Sequence, residues 1–201
     1  MKKNNLIRFV QSLIILPVMT VPIVFSGIRN IEIPQNVLVQ KFNIKTDETN
    51  QIVDLEVALQ KEKANAIDNY FKARKMPLEG TGMKMVLEAE KNNLDWRLLP
   101  AIAVRESTGG KNACKKVEFN SFGWGSCKIG FESNEKAIEV VALNLGGNHP
   151  KTEKYYDNKT TKQILRAYNP PSIVRRYAEQ VMSIMDDVGS EDITQTIVAN
   201  T

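Results

Sequence analysis

The sequence predicts a mainly α protein. Apolar residues recur at helical spacing in several segments, and Gly, Pro and Asn residues punctuate the chain between them. The 201 residues are 42% hydrophobic and 25% charged, so one compact domain with appended segments is expected.

The N-terminus has the pattern of an export signal. Lys2, Lys3 and Arg8 precede a nearly unbroken apolar run over residues 9–25, and small residues at its end suit a signal peptidase. An uncleaved membrane anchor is the alternative, because the run is about the minimum length that spans a bilayer. Residues 1–26 are therefore a signal peptide or an anchor, and both place the remainder outside the cytoplasm, secreted or anchored at the outer face of the membrane.

Charge argues against a nucleic-acid partner. Without the three basic residues of the N-terminus, 24 basic residues face 23 acidic ones, and the net charge falls from +4 to about +1. No stripe of Lys and Arg with interleaved aromatic residues stands out. Two cysteines and the distant His149 supply too few ligands for a zinc site, so neither a metal nor another cofactor is expected.

The two cysteines, Cys114 and Cys127, lie close together in the chain. In an exported protein such a pair predicts a disulfide, with two free buried thiols as the alternative.

The remaining chain divides into a stem with a long amphipathic helix (27–76), a domain (77–188) and a polar tail (189–201). We expect the long helix at 47–75, after a stem without clear period at 27–50, and the sequence does not decide whether this helix packs on the domain. In the domain, helices are expected at 81–92, 95–108, 134–145, 160–167 and 171–188. Residues 111–131 predict an ordered loop or a small β-hairpin. The helix at 81–92 is expected to place Met83, Val86 and Leu87 on its inner side.

Glu106 ends an apolar helix immediately before the glycines at 109 and 110. It shares a face with Ile102, four residues earlier, so burial and the partial negative charge of the helix end both disfavour an ionised carboxylate there. A carboxyl that keeps its proton is what a glycosidase needs to protonate a leaving oxygen. The alternative is a surface glutamate paired with Arg105 or Lys111.

Two other stretches offer groups that suit a sugar. Residues 120–125 place Phe122 and Trp124 among glycines, and glycines allow a ligand to approach the backbone closely. Tyr168 precedes a turn fixed by two prolines, which can hold its hydroxyl in one direction. A hydrophobic cluster under a loop and a core tyrosine are the respective alternatives.

Together these stretches resemble the lysozyme-like superfamily, and in particular the bacterial glucosaminidases and the soluble lytic transglycosylases. The resemblance covers residues 80–188, about half of the chain. The matching residues are Glu106, Ser107, Thr108, Gly109, Gly110, Asn120, Phe122, Gly123, Ala167, Tyr168 and Asn169. It implies a lysozyme-like helical domain with the loop or hairpin beside the cleft.

The resemblance also implies roles for individual residues. Glu106 would be the general acid, and Tyr168 a residue that stabilises the transition state or positions other groups. Substrate binding would fall to Ser107, Asn120, Phe122, Gly123, Trp124 and Asn169. The chain lacks the Gly-Leu-Met-Gln element of the transglycosylases and continues after Asn169 with two prolines, which favours the glucosaminidase branch.

The expected function is cleavage of the glycan strands of peptidoglycan, as by an endo-β-N-acetylglucosaminidase. The alternatives are a lytic transglycosylase that leaves 1,6-anhydro ends, a glycan-binding or envelope scaffold protein without activity, and an endoglycosidase acting on glycoprotein glycans. A second catalytic carboxylate has no signature, and Glu118, Glu132 and Asp157 are candidates for it.

Overall fold

In the computed structural model, the backbone is described for residues 35–199 and the side chains for residues 52–191. These residues are mainly helical, and none of them forms a strand. The seven helices of this part of the chain are α1 (Gln35–Ala73), α2 (Gly82–Lys91), α3 (Leu98–Ser107), α4 (Asn134–Leu145), α5 (Glu153–Tyr156), α6 (Thr161–Tyr168) and α7 (Tyr177–Ala199). The chain divides after Thr46, and the compact unit Asp47–Thr201 carries the core.

Helix α1 begins at Gln35 rather than at residue 47, so it is longer than predicted. The expectation of a stem without regular structure is therefore wrong from residue 35 onward. Neither glycine nor proline follows Pro34 until Pro77, so no residue breaks the helix, and a proline suits the position just before or at a helix start.

The C-terminal part of α1 packs on the domain, which the sequence had left undecided. Ala64, Ile67 and Phe71 are buried in the common core at a spacing of three and four residues. The carboxylate of Asp68 accepts hydrogen bonds from the backbone N–H groups of Gly80 and Gly82, each at 2.9 Å. This carboxylate joins α1 to the start of α2.

Helix α2 confirms the helix predicted at 81–92, but its buried face differs from the predicted one. Leu87 is exposed and Met83 is half-buried, whereas Met85, Val86 and Ala89 are fully buried. The inner face therefore follows the series 82, 85, 86 and 89. A side chain cannot replace the glycine at 82, because its Cβ would lie 2.3 Å from the carbonyl oxygen of Ala64.

Helix α3 begins at Leu98, three residues later than predicted. Before it, the Asp95 carboxylate accepts a hydrogen bond from the backbone N–H of Arg97 at 2.9 Å, in a turn rather than a helix. Pro100 lies in the first helical turn, as the sequence predicts. Most of α3 is buried, and it packs most extensively against α7.

Helices α4 and α6 confirm their predictions closely. The Ser133 side chain accepts a hydrogen bond from the backbone N–H of Lys136 at the start of α4. Thr160 and Gln163 form a reciprocal capping box at the start of α6. Helix α5 is one turn long and was not predicted.

Two other predictions fail. The last helix begins at Tyr177 rather than at residue 171, because residues 171–176 form turns in which the N–H groups of Ile173 and Val174 donate to the carbonyl of Pro170. It also continues to Ala199, so the expected polar tail is helical up to that residue.

The small β-hairpin considered for residues 111–131 is absent, and the ordered loop is present. Phe119, Ser126 and Cys127 have positive φ, which is incompatible with a paired strand. The loop contains one short 3₁₀ segment, Trp124–Cys127. The predicted N-terminal apolar segment, 1–26, lies outside the described residues, and within residues 35–199 no helix is long and apolar enough to cross a membrane.

Candidate active site

Glu106 lies in the last turn of α3, where the chain changes direction. Thr108 closes the helix in the left-handed conformation (φ 55°, ψ 50°). Gly109 follows with φ 62°, and a Cβ there would lie 2.6 Å from the sulfur of Met76. Only glycine fits this position, so the backbone leaves the helix axis immediately after the carboxylate.

Tyr177, the first residue of α7, holds one oxygen of Glu106. Its hydroxyl donates a hydrogen bond of 2.6 Å to Glu106 Oε1, and its ring is buried. Burial, followed by the hydrogen bond to Glu106, raises the pKa of Tyr177 far above its usual value. The phenol therefore remains a hydrogen-bond donor throughout the physiological pH range. The guanidinium of Arg105 lies 5.7 Å from the centre of the same ring.

Gly123 brings the loop backbone against the other oxygen of Glu106. Its φ is 64°, and a Cβ on it would lie 3.0 Å from Glu106 Oε2. Glycine is required here both for the backbone conformation and for the space that the carboxylate occupies.

Asn120 fixes the conformation of this loop from within. It is fully buried, and its amide nitrogen donates to the carbonyl oxygens of Trp124 and Ile129, both at 2.8 Å. Its amide oxygen accepts from the backbone N–H of Trp124 at 2.9 Å. The backbone N–H of Cys114 donates to the Asn120 carbonyl at 3.2 Å.

The loop is also closed covalently and tied to the end of α3. Cys114 and Cys127 form the predicted disulfide, with their Cα atoms 5.4 Å apart. The Ser107 hydroxyl lies 2.7 Å from the carbonyl oxygen of Ser121 and accepts a hydrogen bond from the N–H of Gly110 at 2.9 Å. Ser107 thus joins the residue next to the candidate acid to the loop.

Tyr168 ends α6 and lies between the two other aromatic residues of the site. Its ring stacks on Tyr177 at 5.9 Å between centroids and is tilted against Trp124 at the same distance. Its hydroxyl donates to the carbonyl oxygen of Phe122. Burial, and to a lesser extent the charge of Glu106, raise the pKa of Tyr168 well above its usual value.

A cleft of about 560 Å³ lies at this end of α3 and α6. Five of the eight residues predicted for catalysis and substrate binding line it: Glu106, Gly123, Trp124, Tyr168 and Asn169. The other three, Ser107, Asn120 and Phe122, are buried and do not line it. Their polar groups bond within the protein, so the geometry gives them a supporting position beneath the cleft rather than contact with a ligand.

The sequence interpretation missed several residues at this cleft. Thr152, Tyr155, Tyr156 and Ile173 line it, and Tyr177 holds Glu106 from below. Because the last helix was predicted to start at residue 171, Tyr177 was expected in the middle of that helix, and its contact with Glu106 was not predicted. A tyrosine nine residues after Tyr168, beyond the two prolines, was the available signal.

The candidate second carboxylates lie elsewhere. Glu118, Glu132 and Asp157 are exposed, and within the described residues Glu106 is the one acidic side chain that lines the cleft. Comparison with protein-family models, with curated proteins and with solved structures finds no match to this chain.

Proposed function

We propose that this chain is an exported, lysozyme-like enzyme that cleaves the N-acetylated glycan of peptidoglycan, with Glu106 as its general acid. The observation that carries the proposal is the position of Glu106. Its carboxylate borders a cleft with aromatic sides, one oxygen bonded to Tyr177 and the other against Gly123. A carboxyl held in this way has the fixed orientation that proton transfer to a bridging oxygen requires.

The aromatic residues support a sugar as the ligand. Trp124 and Tyr168 line the cleft, and the Trp124 indole, which Tyr168 supports, can pack its flat face against the C–H face of a pyranose ring. The cleft volume lies in the range usual for small-molecule sites. Asn169, also at the cleft, has a buried amide oxygen without a hydrogen-bond partner among the described residues, and this oxygen is suited to accept from a sugar N–H or hydroxyl.

A single carboxylate in the cleft favours participation of the substrate. In the proposed reaction Glu106 donates its proton to the bridging oxygen, and the bond between that oxygen and the anomeric carbon breaks. The acetamido oxygen of the same sugar attacks the anomeric carbon in place of a second carboxylate. Glu106, now a carboxylate, then takes the proton of a water that opens this intermediate to a reducing end, or of the sugar O6 hydroxyl that closes it to a 1,6-anhydro end.

Mass analysis of fragments from digested sacculi separates these products, because an anhydro end and a reducing end differ by one water. The terminal sugar identifies the bond that is cut. Hydrolysis after N-acetylglucosamine is the expected result.

The decisive variant is Glu106→Gln, which keeps the size of the side chain and removes its acidic proton. We expect the release of soluble fragments from purified sacculi to fall by about 10²- to 10⁴-fold, while the thermal unfolding transition stays close to that of the wild type. The matched control is Glu118→Gln, an exposed position outside the cleft, which should retain activity.

Unchanged fragment release by Glu106→Gln would refute the assignment of the acid. A folded wild-type protein that sediments with sacculi and releases no fragments would instead establish a glycan-binding protein without activity.

A further inference from the structure

The outer rim of the cleft carries two exposed hydrophobic side chains that the proposed chemistry does not use. Tyr155 is 52% exposed and Ile173 is 74% exposed, and both line the cleft. Tyr155 lies in α5 and Ile173 in the turns before α7, so two separate segments contribute to this rim. Exposed apolar groups at the edge of a cleft indicate contact with a ligand more often than isolated ones do.

A cation lies beside the aromatic part of this rim. The ammonium group of Lys154 is 4.8 Å from the centre of the Tyr155 ring. Lys154 is exposed and forms no ion pair with another described residue. Its charge is therefore available to a ligand whose ring packs at Tyr155.

The surrounding segment is basic overall. Residues 149–176, which supply Tyr155, Tyr168 and Ile173, contain seven Lys and Arg residues against the two acids Glu153 and Asp157. Those two acids line an adjoining depression with Lys151 and Lys154, and neither lines the catalytic cleft. The segment as a whole therefore carries an excess of positive charge, and Lys154 is the cation that lies against the Tyr155 ring.

We infer that Tyr155 and Lys154 form a rim subsite that selects glycans whose sugars carry a carboxylate-bearing substituent over neutral glycans of the same length. The sugar ring packs at Tyr155, and the carboxylate of its substituent pairs with Lys154. This inference rests on the proposed function, because the subsite acts on the substrate that Glu106 cleaves. It adds a basis for discrimination that the groups around Glu106 do not provide.

The test compares two forms of one substrate. Peptide-free glycan chains from sacculi carry free lactyl carboxylates, and the same chains treated with carbodiimide and methylamine carry neutral amides. For the wild type we expect KM to be about two- to fivefold lower for the carboxylate form at low salt, the size of an exposed ion pair. This difference should shrink at 0.5 M NaCl, because salt screens exposed charges.

The variants separate the charge from the ring. Lys154→Gln should remove the preference for the carboxylate form through KM rather than through kcat, whereas Lys159→Gln, another exposed lysine that does not line the cleft, should keep it. Tyr155→Ala should raise KM about tenfold for both substrates. Tyr155→Phe keeps the ring and should raise KM far less.

Equal KM values for the two substrates with the wild type, or equal effects of Lys154→Gln and Lys159→Gln, would overturn the subsite while fragment release continued to support the proposed function. A folded wild type that releases nothing from either substrate would overturn both.

Discussion

The helical wall of the cleft, formed by Glu106 and Tyr168 with Tyr177 beneath them, differs in construction from the loop wall, formed by residues 123–126. The helical wall stands at the ends of α3 and α6 and the start of α7, and these helices bury apolar side chains in the common core. The loop wall has no fully buried residue and contains consecutive residues with positive φ. Its conformation depends on Asn120 and on the Cys114–Cys127 disulfide.

The two walls should respond differently to the loss of a single polar contact. Burial of apolar surface is spread over many contacts, so the helical wall loses little when one polar contact is removed. The loop wall depends on a few hydrogen bonds and one disulfide, so the loss of any one of them should disturb the conformation of the loop. Substitutions should therefore separate the two walls.

The largest effect is expected from Asn120→Ala. The change leaves the N–H and the carbonyl oxygen of Trp124 and the carbonyl oxygen of Ile129 without their side-chain partner, and each of these partly buried hydrogen bonds contributes about 1 kcal/mol. We expect the free energy of unfolding to fall by about 3 kcal/mol in denaturant titrations, with loss of fragment release. The matched control is Asn92→Ala just after α2, a buried asparagine that does not line the cleft, whose amide donates to the Glu88 carbonyl and accepts from Asn148. An equal loss in both variants would remove the distinction between the walls.

The next effect concerns the disulfide. Replacing both Cys114 and Cys127 by serine opens a loop whose ends are separated by 13 positions in the sequence. In the chain-entropy account, closing such a loop stabilises the folded state by about 3 kcal/mol. The variant should unfold at lower denaturant concentration and cleave glycan more slowly, because residues 123–126 lose their closure. Retention of wild-type stability and activity would show that Asn120 alone orders the loop. Mass spectrometry of the wild type purified without reductant should find no free thiol.

Tyr177→Phe tests the helical wall. The ring remains buried, so the core keeps its packing, and one hydrogen bond to Glu106 is lost. Bonds to charged groups contribute about 1.5–3 kcal/mol, so kcat/KM should fall about 10- to 100-fold with only a small change in stability. Tyr70→Phe, a buried tyrosine of α1 away from the cleft, serves as the control. A similar loss of activity in both variants would argue against a specific role for the hydroxyl of Tyr177.

Helix starts were predictable where a local signal sets them, which in the helical wall holds for α6 but not for α7. Ser133 and Thr160 carry local start signals whose bonds form within one turn, so α4 and α6 begin where the sequence indicates. The hydrogen bond between Tyr177 and Glu106 was not predicted, because the two residues are 71 positions apart and no local pattern encodes such a contact. Pro171 also suited a helix start by itself, but the chain makes turns at the Pro170 carbonyl first.

For the loop, the sequence drew attention to Asn120 and Phe122 but did not indicate that both are buried. Asn120 and Phe122 were expected to bind substrate, and the structure places both beneath the surface. A buried asparagine that orders a loop and an exposed one that binds sugar have the same local pattern. Only the positions of the Trp124 and Ile129 backbone groups distinguish them, and these depend on the folded chain.

The smallest effect is a pH dependence of stability at the base of the helical wall, where Arg97 bonds to Asp95 at 2.8 Å and lies 3.6 Å from Asp186 of α7. Burial alone raises the pKa of Asp95, but hydrogen bonds from the side chain and backbone of Arg97 outweigh it and hold the pKa below its ordinary value. The stability that this carboxylate contributes is therefore complete above about pH 4 and is lost as the pH falls through the lower folded value. Asp95→Asn should lower the free energy of unfolding by about 1 kcal/mol or less at pH 6, and the difference from the wild type should shrink toward pH 3. A difference that stays constant over this range would mean that Asp95 acts through its shape and neutral hydrogen bonds, and that its charge does not support the junction of α3 and α7.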